Sequence, residues 1–333
     1  MSSSIALKFV TVNGMKLRYA DVGTGPAVLL LHGWPEVWYS WRHQIQSLSL
    51  AGYRVIAPDL RGYGGSDCPV PSSSYDSLSV SHDILGMLQS LQITKAAIVG
   101  HDWGALITYF LALYSPQTFP AVFGISVPHI LPKKEAGPLL DISQKAGDDF
   151  HYILYHNEPH GRAEKEYDAR PRDLLKRLYC GGSVRSARPL VTDKHHSVGG
   201  WIDRLGEPLC LPEWLAEDDL NYYVTEFTRT GFAGGVNYYR NMYRNWQHSH
   251  SLRTNKIMQP MGMMIGSKDM VLANFGGIDA VRKQMKRSCP NLVGDGVVLV
   301  EGAGHWLQQE RAEQVSAAVL TFLNTVYAPK SHL

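Results

Sequence analysis

The chain has 333 residues, of which 44% are hydrophobic and 19% are charged, a composition typical of a globular protein rather than a disordered or coiled-coil one. Lysine and arginine number 32 against 30 for aspartate and glutamate, so the formal charge of +2 favours neither nucleic acid nor anionic lipid as a partner. No apolar run approaches the roughly 18 residues of a membrane-spanning helix, and the first residues lack the apolar core of a signal peptide. We therefore expect a cytoplasmic protein without a membrane span.

Short apolar strands alternate with helical stretches over the first third of the chain, the pattern of a mostly parallel sheet with helices on both faces. The predicted strands are residues 8–12, 16–21, 27–31, 54–57, 96–99 and 121–126. Apolar residues at helical spacing predict helices over residues 41–50, 79–91 and 103–114. The last third resumes the alternation, with strands at 261–265 and 297–300 and helices at 278–285 and 312–326. The fold class is therefore predicted to be α/β.

The middle of the chain lacks this alternation of strands and helices. From about Pro132 to His250 it is polar and rich in tyrosine, with helical pieces but no series of strands. We interpret this stretch as a helical cap inserted into a discontinuous core. The predicted core comprises residues 1–131 and 250–333, and the predicted cap comprises residues 132–249.

A sharp turn is predicted where the strand at 96–99 runs into Gly100-His101-Asp102-Trp103-Gly104 and a helix. This matches the Gly-x-Ser-x-Gly nucleophile turn, with aspartate in place of serine. Such a turn crowds the residues two before and two after its apex, so Gly100 and Gly104 let the backbone close while Asp102 is strained and exposed. The following helix directs its N-terminal amides at the apex, so we expect Asp102 to be ionised. The alternative is an ordinary turn with a helix-capping aspartate.

Two further motifs stand where a nucleophile turn needs partners. His32-Gly33-Trp34-Pro35 directly follows the strand at 27–31, and Gly302-Ala303-Gly304-His305 follows the strand at 297–300. In a fold with such a turn, the loop after the first of these strands supplies a backbone amide for an oxyanion. The loop after the last strand supplies the histidine, which comes third along the chain after the nucleophile and the acid. Together they favour a catalytic interpretation of the turn.

On these motifs the chain resembles an α/β-hydrolase of the epoxide hydrolase family, over about residues 8 to 326. Further segments that carry the resemblance are Asp59-Leu60-Arg61-Gly62-Tyr63-Gly64-Gly65-Ser66, Phe150-His151-Tyr152-Ile153-Leu154-Tyr155, Asn237-Tyr238-Tyr239-Arg240-Asn241 and Gly304-His305-Trp306. The resemblance implies an α/β-hydrolase fold with a helical cap. It also implies hydrolysis of a small hydrophobic epoxide by water to a vicinal diol, through a hydroxyalkyl ester on the nucleophile Asp102 and without a cofactor. The oligomeric state stays open.

The same resemblance implies the remaining roles. Tyr152 and Tyr239 correspond to the cap tyrosines that donate to the epoxide oxygen, with the adjacent Tyr155 and Tyr238 as alternatives. His305 would activate water. The acid that orients it is expected after the strand at 261–265, where Asp269 lies; some relatives place it after the strand at 121–126, but Pro128-His129-Ile130 holds no carboxylate. The backbone amides of Trp34 and Trp103 would form the oxyanion hole.

Two other functions share these features. A haloalkane dehalogenase has the same aspartate turn and a tryptophan at the position of Trp103; Trp34 could serve as its second halide donor, although the asparagine often found after His-Gly is missing. A non-catalytic small-molecule receptor on this fold is the other alternative, and the intact Asp102, His305 and Asp269 argue against it. At the C-terminus, Ser331-His332-Leu333 resembles the peroxisomal signal Ser-Lys-Leu and makes the peroxisome an alternative compartment.

No metal or nucleotide site is predicted. The four cysteines are widely spaced and lack a Cys-x-x-Cys motif. Gly62-Tyr63-Gly64-Gly65 lacks the complete dinucleotide-binding pattern. His195-His196 and His248-Ser249-His250 have no third ligand at a helical or zinc-finger spacing, so we interpret them as solvated surface.

Overall fold

The computed structural model describes residues 5–131, 137–181, 183–252 and 256–328, and within them eight strands form one sheet. The strands are β1 (Leu7–Val12), β2 (Met15–Val22), β3 (Ala27–Leu31), β4 (Arg54–Pro58), β5 (Ala96–His101), β6 (Val122–Ile125), β7 (Met261–Gly266) and β8 (Leu292–Val300). Their order is β1-β2-β4-β3-β5-β6-β7-β8. The pairs β1–β2 and β2–β4 are antiparallel, and all others are parallel. The prediction of a mostly parallel α/β sheet is confirmed.

Helices connect the strands and cover both faces of the sheet. They are α1 (Arg42–Leu50), α2 (Ser77–Ser90), α3 (Trp103–Tyr114), α4 (Pro138–Ala146), α5 (Tyr152–His156), α6 (Arg162–Ala169), α7 (Pro171–Cys180), α8 (Glu217–Thr230), α9 (Ala233–Arg240), α10 (Met242–His248), α11 (Met270–Asn274), α12 (Ile278–Ser288), α13 (Leu307–Glu310) and α14 (Ala312–Val326). Helices α4 to α10, here called the inserted helices, all lie between β6 and β7. The division into a core of 1–131 and 250–333 and a cap of 132–249 stays a prediction.

The described helices include none that is both long and apolar enough to cross a membrane. The predicted targeting tripeptide Ser331-His332-Leu333 lies outside the described residues.

Element boundaries differ from the predictions where a local residue shifts them. Helix α2 begins at Ser77 rather than at 79, because the Asp76 carboxylate caps it by accepting a 2.7 Å hydrogen bond from the Ser79 amide. Strand β8 begins at Leu292 rather than at 297. Gly294 and Gly296 interrupt the run of apolar residues from which the start of this strand was predicted. Both adopt positive φ, 62° and 78°, and the strand continues through them beside an irregular register with β7.

The central strands are buried on both faces. In β3, Leu29 and Leu31 pack into the apolar cluster that also contains residues of α2, α3 and the inserted helices, whereas Val28 and Leu30 pack into the cluster with α1 and α14. This alternation follows from the two-residue period of a strand. The inserted helices therefore share one apolar core with the sheet. They are also tied to it by hydrogen bonds, such as the 2.6 Å bond from the Tyr179 hydroxyl to the Pro35 carbonyl.

The carboxyl ends of the parallel strands meet at one edge of the sheet, where ligands bind in open α/β folds. Gly33 follows β3, Asp102 follows β5, Asp269 follows β7 and His305 follows β8. The strand order thus brings four predicted site segments to a single edge.

Candidate active site

Asp102 sits at the apex of a strained turn between β5 and α3. Its φ of 52° and ψ of −117° lie in a region that side chains rarely adopt. The turn closes only because its flanks are glycine. A Cβ at Gly100 would lie 2.2 Å from the Gly104 carbonyl oxygen, and one at Gly104 would lie 2.1 Å from the Leu31 carbonyl oxygen. The predicted reason for both glycines is therefore confirmed by the geometry.

The two carboxylate oxygens of Asp102 have different partners. Oδ1 accepts a 2.9 Å hydrogen bond from the Trp34 backbone amide, and Oδ2 lies 3.7 Å from His305 Nε2. Burial acts to raise the pKa of Asp102, but the hydrogen bond and charge of His305, together with the Trp34 amide, hold that pKa below its ordinary value. Asp102 is therefore a carboxylate at neutral pH.

His305 lies between two carboxylates. Its Nδ1 is 2.9 Å from Asp269 Oδ2 and 3.0 Å from Oδ1, while Nε2 faces Asp102. Burial acts to lower the pKa of His305, but the negative charges of Asp269 and Asp102 outweigh it and raise that pKa well above its usual range. In the resting protein the imidazole therefore carries both protons. The Asp269 side chain is itself fully buried and also accepts the Val271 amide at the start of α11, at 2.9 Å.

A buried ion pair beneath the turn holds these loops together. His101 Nδ1 is 2.7 Å from Glu36 Oε2, and its Nε2 is 2.8 Å from the His305 carbonyl oxygen. Both contacts are with oxygen atoms, so the two ring nitrogens of His101 join the Glu36 carboxylate to the His305 backbone. Burial acts to raise the pKa of Glu36, and the charge of His101 holds it below its usual range. Glu36 also accepts the Gly33 amide at 2.8 Å, so one carboxylate joins the loops after β3, β5 and β8.

The loop that carries His305 is fixed at two more points. Ser126 Oγ donates to the His305 carbonyl at 2.8 Å. The Glu310 carboxylate accepts the amides of Gly304 at 2.7 Å and Trp306 at 2.9 Å, one on each side of His305. Glu36, His101, Ser126 and Glu310 were not predicted as site residues. His101 carries a local signal because it lies inside the nucleophile turn, and Glu310 lies only four positions after Trp306.

Tyr152 and Tyr239 come together from two of the inserted helices. Tyr152 begins α5, Tyr239 lies in α9, and their ring centroids are 5.9 Å apart at an angle of 82°. Trp201 stacks on Tyr152 at 4.8 Å, and Trp103 contacts Tyr239 edge to face at 5.0 Å. Burial first, and the Asp102 charge second, raise the pKa of both phenols. Both hydroxyls are therefore protonated at neutral pH, and both lie close enough to Asp102 for its charge to act on them.

The two alternative tyrosines have their hydroxyls engaged with other partners. The Tyr155 hydroxyl donates to Glu166 Oε2 at 2.8 Å, and the Tyr238 hydroxyl donates to the Arg61 carbonyl at 3.0 Å. An O–H group that is already donating to a strong acceptor is not free to donate to a ligand. The structure therefore favours Tyr152 and Tyr239 over their neighbours.

A cavity of about 700 Å3 opens beside Trp103. Its lining is largely apolar and includes Leu106, Phe110, Leu131 and Phe275. Trp103 lines this cavity and its ring also contacts Tyr239, whereas Asp102, His305, Tyr152 and Tyr239 are not among the lining residues. The cavity is therefore adjacent to the site but does not contain its polar groups.

The two histidine pairs named in the sequence analysis have carboxylate neighbours. His248 Nε2 lies 3.4 Å from Asp76 Oδ2. His195 and His196 are exposed, in line with the predicted solvated surface. Asp148 lies beside them in space, and it precedes His195 by 47 positions, so no helical or zinc-finger spacing links it to the pair.

Comparisons with known proteins agree with this geometry. Residues 26–312 match the family described as alpha/beta hydrolase fold. The chain is 40% identical to Epoxide hydrolase A of Mycobacterium tuberculosis over 322 residues, covering 95% of this chain and 96% of that protein. It is 38% identical to Epoxide hydrolase 3 of Siraitia grosvenorii, covering 95% and 97%. Its structure is similar to the crystal structure of Epoxide Hydrolase A from Mycobacterium thermoresistibile, with a TM-score of 0.89, 40% identity, and coverage of 98% of this chain and 100% of that one.

Proposed function

The chain belongs to the epoxide hydrolases of the α/β-hydrolase fold, and on that premise we propose that it converts epoxides to vicinal diols through a covalent ester on Asp102. The tyrosine pair carries this proposal. Tyr152 and Tyr239 are buried, 5.9 Å apart between ring centroids, and their pKa values are raised by burial and by the Asp102 charge. Two protonated phenols opposite a carboxylate suit an epoxide, since its leaving group is an alkoxide that needs a proton.

In the first step, Asp102 attacks a ring carbon while the tyrosines donate to the ring oxygen. Oδ1 is held by the Trp34 amide, so Oδ2 is the oxygen that forms the new C–O bond. The C–O bond of the epoxide breaks and its oxygen takes a proton from a tyrosine. The product is a hydroxyalkyl ester whose carbonyl oxygen is Oδ1. This step needs no general base, because Asp102 is already ionised.

Ester formation changes the state of His305. Its pKa is raised by two carboxylates, and esterification removes the charge of one of them. The pKa of His305 therefore falls, the imidazole releases its Nε2 proton, and the tyrosinate left by the first step takes up one proton, so that both tyrosines are again neutral. Neutral His305 can then accept a proton from water. Asp269 keeps Nδ1 protonated and the ring oriented throughout.

In the second step, water attacks the carbonyl carbon of the Asp102 ester. The oxyanion forms on Oδ1, where the Trp34 amide already donates, and we propose the Trp103 amide as the second donor. Loss of one such donor typically lowers the rate by roughly 10² to 10³. The bond between the carbonyl carbon and Oδ2 breaks, and His305 gives its proton to the departing diol. The remaining proton of the Asp102 carboxylic acid then passes to His305, which restores the carboxylate and the doubly protonated imidazole. No metal or cofactor takes part in the scheme.

The proposed substrate is a small hydrophobic epoxide. The aromatic rings around the tyrosine pair, those of Trp34, Trp103 and Trp201, would contact its carbon substituent, and the epoxide oxygen would face the tyrosines. Residues 132–249, which we propose as the cap, would provide both acids and Trp201.

One experiment distinguishes this function from its rivals. The protein is incubated separately with an aryl epoxide and with a bromoalkane, and diol and halide are assayed. We expect diol from the epoxide and no bromide release above the Asp102→Asn control. Bromide release without diol would instead identify a dehalogenase, and binding without either product would identify a receptor. A Tyr152→Phe/Tyr239→Phe variant should lose diol formation, which assigns the activity to the tyrosine pair.

A further inference from the structure

We propose that Asp148, His195 and His196 form a surface site for a divalent transition-metal ion of the zinc type. Each of the three side chains offers one ligand atom, and these atoms all lie within 4.8 Å of one another. Two imidazoles and one carboxylate are ligands that suit Zn²⁺. All three side chains are exposed, so water can complete the coordination. This site is separate from the chemistry of Asp102.

The backbone already brings the ligands together. Asp149 and His195 form an antiparallel bridge, the His196 amide donates to the Asp148 carbonyl at 2.9 Å, and the Phe150 amide donates to the Lys194 carbonyl at 2.6 Å. The residues are distant in sequence but paired in space. The fold, rather than ion binding, therefore offsets the loss of conformational entropy that comes with pairing the two segments.

The side chains need only a small adjustment to bind. The rings of His195 and His196 lie nearly parallel, with centroids 4.7 Å apart and an interplanar angle of 24°. At metal–ligand distances of about 2.0 to 2.2 Å, tetrahedral ligand atoms are roughly 3.3 to 3.6 Å apart. Exposed side chains can close the remaining separation by changing rotamer.

Neighbouring groups fix the loop that carries the two histidines. His195 Nδ1 accepts the Ser197 amide at 3.2 Å and lies 2.8 Å from Ser197 Oγ. Binding of an ion at Nε2 would move the ring proton to Nδ1, where it would donate to the Ser197 hydroxyl in place of the amide contact. Asp193 accepts the His195 amide at 2.9 Å and adds a second negative charge close by. The Arg204 guanidinium donates to the His195 carbonyl at 2.7 Å, which holds the backbone and places one positive charge beside the same loop.

The ion would bridge the two segments that lead into the tyrosine site. Asp148 lies four positions before Tyr152, and His196 lies five positions before Trp201, which stacks on Tyr152. Binding should therefore stabilise the pairing of the two segments upstream of these aromatic residues. Because the ion does not touch Asp102, removing it should leave turnover largely intact.

The test is a titration of the metal-free, full-length protein with Zn²⁺, followed by calorimetry and by metal analysis after equilibrium dialysis. We expect one ion per chain in the wild type. Asp148→Asn and His196→Gln should each weaken binding by more than about tenfold, since even an outer-shell partner contributes roughly 10- to 100-fold. The matched control is His248→Gln, which removes a histidine beside a single carboxylate, that of Asp76, and it should bind like the wild type.

Hydrogen exchange provides the structural readout. Zn²⁺ should slow exchange of the Phe150 and His196 amides, which form the hydrogen bonds between the two segments. The slowing should be absent in Asp148→Asn. Binding of less than one ion, equal binding by the wild type and both ligand variants, or unchanged exchange of the two amides at saturation would each overturn the proposal.

Discussion

The backbone amide of Trp34 donates a 2.9 Å hydrogen bond to Oδ1 of Asp102, although 68 positions separate the two residues. This contact makes the two oxygens of one carboxylate unequal. The bonded oxygen becomes the ester carbonyl in our scheme, and the other oxygen becomes part of the diol. The amide therefore has its partner in place before the oxyanion develops, which is the arrangement that electrostatic stabilisation requires.

The approach of Trp34 to Asp102 depends on the absence of a side chain at position 33. A Cβ there would lie 2.5 Å from Asp102 Cβ and 2.6 Å from Oδ1. Gly33→Ala should therefore displace either the nucleophile or the oxyanion loop and lower kcat by at least about 10², the typical cost of losing one oxyanion donor. The control is Gly181→Ala, whose methyl group would lie no closer than 3.3 Å to the carbonyls of Arg177 and Leu178. Equal turnover of the two variants would contradict the steric argument.

The tyrosine pair predicts a graded loss of activity. Tyr152→Phe and Tyr239→Phe should each slow ester formation, and the double variant should lose most of the roughly 10² to 10⁴ that general acid catalysis supplies. Tyr155→Phe and Tyr238→Phe are the matched controls, because each removes a neighbouring tyrosine hydroxyl. Those two hydroxyls already donate hydrogen bonds to Glu166 and to the Arg61 carbonyl. The single-turnover rate of ester formation should fall in the Tyr152 and Tyr239 variants and stay near the wild-type rate in the Tyr155 and Tyr238 variants. Near-normal ester formation in the double variant would refute these acids.

His305→Gln should stop the reaction after its first step. Asp102 attacks without a base, but the water that hydrolyses its ester needs one. Intact-protein mass spectrometry with substrate should therefore detect a covalent adduct that persists, and peptide analysis should assign it to Asp102. The Asp102→Asn/His305→Gln variant should give none. If the single variant also gives no adduct while remaining folded, direct attack of water on the epoxide becomes the better mechanism.

The charge of Asp102 predicts a pH effect on His305. Both carboxylates raise the pKa of His305, so Asp102→Asn should lower it, by about one to three pH units for the loss of one close opposite charge. A group with a raised pKa stabilises the folded state fully below its unfolded value near 6.5 and loses that contribution as the pH rises through the folded pKa. Histidine NMR titration of both proteins measures the difference. An unchanged pKa would contradict the proposed release of the His305 proton on esterification.

Features that depend on short stretches of sequence were predictable. The nucleophile turn needs Gly100 and Gly104 within four positions, and the structure contains the predicted crowding. Helix α3, over Trp103–Tyr114, has the predicted bounds because its apolar pattern is continuous. His305 and Asp269 come within 2.9 Å of each other because each follows a neighbouring parallel strand, a relationship that strand order alone provides.

Features that depend on contacts between distant segments were not predictable. Glu36 pairs with His101 across 65 positions, and Ser126 donates to the His305 carbonyl across 179 positions. Asp148 meets His195 and His196 through an irregular two-segment pairing. No periodicity or motif spacing encodes these contacts, since they follow from where the complete fold brings each loop.

The fate of a solvent oxygen tests the central claim that Asp102 is the nucleophile. One turnover with excess enzyme in heavy-oxygen water should give unlabelled diol, because the new diol oxygen comes from Oδ2 of Asp102. The label should instead appear in the peptide that contains Asp102, since water attacks the ester carbonyl. Complete labelling of the first-turnover diol, with none in that peptide, would contradict the account and leave Asp102 with an electrostatic role only.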